Sequence, residues 1–94
     1  MREYPYQRSI LLNVAYVCLE RLAYPLMYAN SRRGVLRFGY GTGIGVMDLT
    51  SILRDGEEIT RVEISDTERE LSLVLFDEIA SILRENFEQG GNDG

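Results

Sequence analysis

The stretch Val35-Leu36-Arg37-Phe38-Gly39-Tyr40-Gly41-Thr42-Gly43-Ile44-Gly45-Val46 decides the fold, because here the pattern of the chain changes from a helical period to a period of two. Successive side chains of a strand point to opposite faces. In one extended segment Gly39, Gly41, Gly43 and Gly45 would therefore share a face with Arg37 and leave that face as bare backbone. A straight strand from Val35 to Leu53 would far exceed the usual length of roughly 3–10 residues, so the sequence predicts a bend or hairpin near Gly41-Thr42-Gly43. Val46 to Leu53 then reads as a second strand, and Asp55-Gly56 as a turn into a third, Ile59 to Ile64. A rival reading caps a short helix, Leu49 to Arg54, with Asp48; the hairpin is preferred.

Helices flank this region on both sides. Upstream, the sequence predicts a helix from Gln7 to Ala23, opened by Pro5, whose narrow polar stripe of Ser9, Asn13, Tyr16 and Glu20 follows spacings of four, three and four. A helix apolar around the rest of its circumference is covered on most sides. Pro25 breaks it near Tyr24, with a short helical continuation through Leu26, Met27 and Tyr28 before the polar run Asn30-Ser31-Arg32-Arg33-Gly34. Downstream, Ser65-Asp66-Thr67-Glu68 carries capping residues for a helix reaching about Glu88, with Leu71, Val74, Leu75, Ile79, Ile82 and Leu83 along one face. The expected fold class is α+β: a two-layer domain ordered helix, three-stranded antiparallel meander, helix, with both helices on one sheet face. It spans residues 1–88 as a single domain, followed by a disordered tail over residues 89–94.

Composition narrows the function classes. The 94 residues include ten cationic side chains, all arginine, and no histidine. Six arginines face two carboxylates in residues 1–47, a charge of +4, and four face thirteen in residues 48–94, a charge of −9. A dedicated duplex-DNA binder would show a basic footprint, which this chain lacks. The two-ended distribution leaves room for an anion site in the first half, or for self-association of a basic end with an acidic one. No segment approaches the roughly 20 apolar residues of a spanning helix, and Cys18 stands alone, so no membrane role is expected and a reducing cytoplasm is the expected compartment.

Without histidine, and with one cysteine set among apolar neighbours, neither a Ser-His-Asp nor a Cys-His arrangement can be assembled. Glu57-Glu58 and Asp66 with Glu68 and Glu70 fit turn solvation and a helix start better than a metal site. Asp77, Glu78, Glu85 and Glu88 fit a solvated helix face better than acid–base work. No metal, no cofactor and no enzymatic activity are expected. One constellation is locally unusual: Arg32, Arg33, Arg37, Tyr40 and Thr42 within the glycine run, where glycines admit an anion to the backbone amides, arginines supply charge and Tyr40 a stacking surface. It matches neither a phosphate loop nor a dinucleotide fingerprint. All six tyrosines lie in the first half, and the apolar first helix exceeds what a small domain covers, which points to an interface through Leu11, Val14, Cys18, Leu22, Tyr24 and Tyr28.

Two functions from different classes follow. The first is a non-enzymatic protein-interaction module acting as a homodimer or higher oligomer and binding another protein, by analogy with small acidic inhibitors, immunity proteins and antitoxins of phage or bacterial origin. The second is a binder of a nucleotide or other small anion at the arginine- and glycine-rich strand.

Overall fold

The computed structural model describes residues 1–88; the tail assigned to residues 89–94 lies outside them. The elements follow the order β1 (Arg2–Tyr4), α1 (Arg8–Arg21), β2 (Leu26–Asn30), β3 (Val35–Tyr40), β4 (Gly43–Arg54), β5 (Glu57–Ser65) and α2 (Arg69–Leu83), with a π-helical turn over Arg84–Glu88. The strands form one antiparallel sheet in the order β1-β5-β4-β3-β2. The α+β class and the central meander of β3, β4 and β5 agree with the sequence reading. The strand count does not: the sheet has five strands rather than three, because the chain adds β1 at one edge and β2 at the other.

The alternation of the strands creates one apolar face. Leu36, Phe38, Met47, Leu49 and Val62 point inward and are buried with residues of both helices in a single cluster, so α1 and α2 lie side by side on the same face. Arg37, Thr50 and Glu63 point to the opposite, open face. Register pairs Phe38 with Gly45 across the β3–β4 hairpin, whose turn falls at Gly41-Thr42. A Cβ at Gly45 would come within 2.5 Å of the Phe38 ring and 2.6 Å of the Thr67 methyl, so only a glycine lets Phe38 lie flat on the sheet beneath the loop into α2. Asp55 (φ 53°) and Gly56 (φ 81°) form the tight β4–β5 turn, which settles residues 46–54 as strand rather than short helix.

The segment after α1 departs from expectation. The helix ends in a Schellman-type stop: Tyr24 N–H donates to the Leu19 carbonyl at 2.9 Å and Ala23 N–H to that of Glu20 at 3.1 Å, with Ala23 left-handed at φ 60°. Pro25 follows, and residues 26–30 extend as β2 against β3 instead of continuing as helix. α1 packs against α2 and the central strands β4 and β5, and Leu11, Leu12, Val14, Ala15, Cys18 and Leu19 are all buried within this one chain. Arg21 closes the helix pair from outside, donating to Glu85 at 2.8 Å and Glu78 at 3.3 Å.

Two substitutions test this account with opposite signs. Ala23→Gly relieves a left-handed non-glycine residue and is expected to stabilise the fold by about 1 kcal/mol. Gly45→Ala overpacks the Phe38 contact and is expected to destabilise by roughly 1–3 kcal/mol. Both are read as shifts in urea midpoint at unchanged slope.

Candidate functional site

Arg32 and Arg33 sit in the four-residue turn 31–34 between β2 and β3. That turn is fixed by the Asn30 side chain, whose Oδ1 accepts from Arg33 N–H at 3.1 Å, and by Arg8, which donates to the Arg32 carbonyl at 3.0 Å. Gly34 (φ 74°) anchors it to β4: its carbonyl accepts from Leu49 N–H at 2.7 Å, and a Cβ there would strike the Leu49 carbonyl. Arg37 lies mid-strand on the open face with its guanidinium 5.1 Å from the centre of the Tyr28 ring, a cation–π stack. Tyr40 lies on the opposite, inner face, its hydroxyl donating to the Asp66 carbonyl at 2.7 Å. Thr42 occupies the turn at the far end of β3.

The five residues expected to gather around an anion are therefore dispersed. Six residues of β3 separate Arg32 and Arg33 from Thr42, about 20 Å of strand, and Arg37 and Tyr40 face opposite sides. The hairpin also splits the glycines: Gly39 shares the open face with Arg37, whereas Gly43 and Gly45 point inward.

The interface residues read from α1 divide as well. Leu11, Val14 and Cys18 belong to the core, so they present no surface to a second chain; the five-stranded sheet and α2 cover them. Leu22 and Tyr24 are half-buried, with Tyr24 packed 6.2 Å from Phe38, ring centre to ring centre. Tyr28 is 45% exposed. Around it lies a group that sequence reasoning missed: Leu26 at 43%, Met27 at 60% and Ile44 at 50% exposure. The β2 ladder is irregular between Leu26 and Tyr28, leaving Met27 without a cross-strand partner. Both Met27, beside Gly39, and Tyr28, over Arg37, consequently lie toward the open face. Grooves of about 470 and 510 Å³ flank this strand; both include Tyr24 and Pro25, and the first also includes Glu20.

The two edges of the sheet contrast sharply. The β1 edge is three residues long and its charges are satisfied within the chain: Glu3 accepts from Arg54 at 2.7 Å and Arg61 at 3.2 Å, and Arg2 lies 4.0 Å from Asp77. The Arg54 and Arg61 guanidiniums hold the Glu3 carboxyl below its ordinary pKa. The β2 edge, Leu26-Met27-Tyr28-Ala29-Asn30, has no charged residue. Edge strands carry an unpaired row of backbone donors and acceptors, and charge or brevity ordinarily shields them.

Among the described residues no three potential metal ligands converge, and no helix is long and apolar enough to cross a membrane. Cys18 is fully buried, with its thiol 3.7 Å from the Leu75 carbonyl, and burial pushes its pKa up to about 12, with Glu78 adding to the shift. The thiolate is the reactive form, so Cys18 is expected to resist iodoacetamide at pH 8 in the folded protein and to alkylate fully once unfolded in urea. Mass spectrometry reads both states. No protein-family model matches the chain, and comparison with curated proteins and with solved structures gives no match.

Proposed function

We propose that this chain is a non-enzymatic protein-interaction module that works as a homo-oligomer, with its contact surface on the β2 side of the sheet rather than on α1. The observation that carries the reading is the uncharged, apolar edge strand, with Leu26, Met27, Tyr28 and neighbouring Ile44 exposed together, on a protein whose other edge is short and ion-paired. Met27, Tyr28 and Ile44 group on the open face with Leu26 on the other side of the same strand; exposed apolar side chains grouped at an uncharged edge mark a contact site, and Tyr28 offers large area at low entropy cost. Backbone pairing supplies affinity at such an edge while flanking grooves supply selectivity. Small inhibitors, immunity proteins and antitoxins act in this way without catalytic groups, and the chain fits that class by analogy.

The alternative, a nucleotide or small-anion site, requires Arg32, Arg33 and Arg37 to converge with Tyr40 and Thr42, and they do not. A thermal-shift series with nucleotides separates the two, because a ligand at 100 times its dissociation constant adds about 2.7 kcal/mol of stability. No shift is expected.

Native mass spectrometry at micromolar concentration tests the main reading. A dimer or higher oligomer is expected; a strictly monomeric species across that range overturns the homo-oligomeric part. Pull-down from the native host then tests for a second protein, whose capture is expected to fall when Met27 is replaced by Lys.

A further inference from the structure

We infer that the occupant of the β2 edge is the β2 strand of a second copy, paired antiparallel about a two-fold axis so that two five-stranded sheets join into one. This rests on the homo-oligomeric reading above and specifies its geometry. A two-fold contact requires one patch to complement itself, and a self-paired edge strand does so through its backbone.

The charges on either side of β2 favour a copy of this chain over an unrelated strand. Along β2 the basic and acidic groups are segregated: Arg32 and Arg33 follow its C-terminal end, and Glu20 lines the groove at its N-terminal end together with Tyr24 and Pro25. Among the described residues none of these three charges has an ion-pair partner, although Arg21 next to Glu20 and every charge of the β1 edge have one. Antiparallel pairing centred on Tyr28 sets Asn30 of one protomer opposite Leu26 of the other, and since Leu26 lines the groove with Glu20, this brings the arginine turn that follows Asn30 toward that groove. The dyad repeats this at both ends, so each protomer supplies what the other lacks. Parallel pairing would set Arg32 beside Arg32 and repel. Attraction between opposite charges across a rim also sets register and speeds encounter.

The experiment uses the whole chain and reads its mass by sedimentation equilibrium and its fold by far-ultraviolet circular dichroism. The wild type is expected to dimerise. Met27→Lys places a charge on the edge and is expected to raise the dimer dissociation constant at least about tenfold. Leu53→Lys, at a more exposed site by the β4–β5 turn, is expected to leave it unchanged. Glu20→Arg alone, and Arg32→Glu with Arg33→Glu, are each expected to weaken self-association. Mixing those two proteins is expected to restore a heterodimer, because each end of the mixed pair again joins opposite charges. A folded Met27→Lys variant as dimeric as the wild type overturns this inference and leaves self-association standing. Failure of the mixture to recover overturns the antiparallel arrangement even where the lysine variant is poorly folded. A monomeric wild type, with or without a foreign strand bound at β2, overturns both the inference and the homo-oligomeric reading.

Discussion

Enclosure of α1 is the constraint on which the remaining structure depends. Leu11, Val14, Ala15, Cys18 and Leu19 form one buried stripe that packs against α2 and the central strands β4 and β5. The residues immediately before and after the helix extend the sheet at its two edges. β1 places Tyr4 against the core and holds the edge of β5; β2 extends the opposite edge past β3. Both recruits are short, and both depend on tight connections, the Schellman-type stop at Ala23 on one side and the Tyr6 carbonyl accepting from buried Thr60 at 2.7 Å on the other. A small domain buries a limited share of its surface, and β2 lies exposed along nearly its whole length.

The hairpin with the glycines serves the same enclosure. Phe38 is the largest fully buried side chain, and it reaches full burial because Gly45 opposite it has no side chain and Thr67 and Tyr24 close over it. The glycine run therefore acts in packing at Gly45, and in close approach at Gly39, where a Cβ would stand 3.3 Å from Pro25. Gly41, in the turn, borders open space.

The central hairpins, the Asp55-Gly56 turn and both helices were legible because each carries a local signature: a change of period, a turn pair, an apolar stripe. The edge strands carry none. Arg2–Tyr4 is too short for a period to register, and Leu26-Met27-Tyr28-Ala29 consists largely of good helix formers, so local propensity pointed to helix and sheet pairing overrode it. The left-handed stop was equally hidden, since Ala23 gives no glycine signal. With three strands in hand, surplus apolar area is read onto α1; in the structure Leu11, Val14 and Cys18 are buried, and Leu26, Met27 and Tyr28 of β2 are exposed. Of the tyrosines read as interface residues, Tyr24 is half-buried against Phe38 and Tyr28 is exposed, and the exposure of Leu26, Met27 and Ile44 is visible only once their neighbours in the sheet are known.

Charge follows the same division. The ion pairs join the two halves of the chain: Glu3 with Arg54 and Arg61 at the β1 edge, Arg2 with Asp77, and Arg21 with Glu78 and Glu85 across the two helices. Exposed pairs of this kind contribute little stability, typically about 0–1 kcal/mol each, so their placement matters more for what may approach the surface than for folding. Where they are satisfied, an incoming strand meets groups already paired and must displace them. Beside β2, where among the described residues Glu20, Arg32 and Arg33 have no ion-pair partner, it meets an apolar edge bracketed by opposite charges. An edge strand that is apolar along its length specifies register poorly by itself. Charges placed at its two ends, of opposite sign, supply the missing specification.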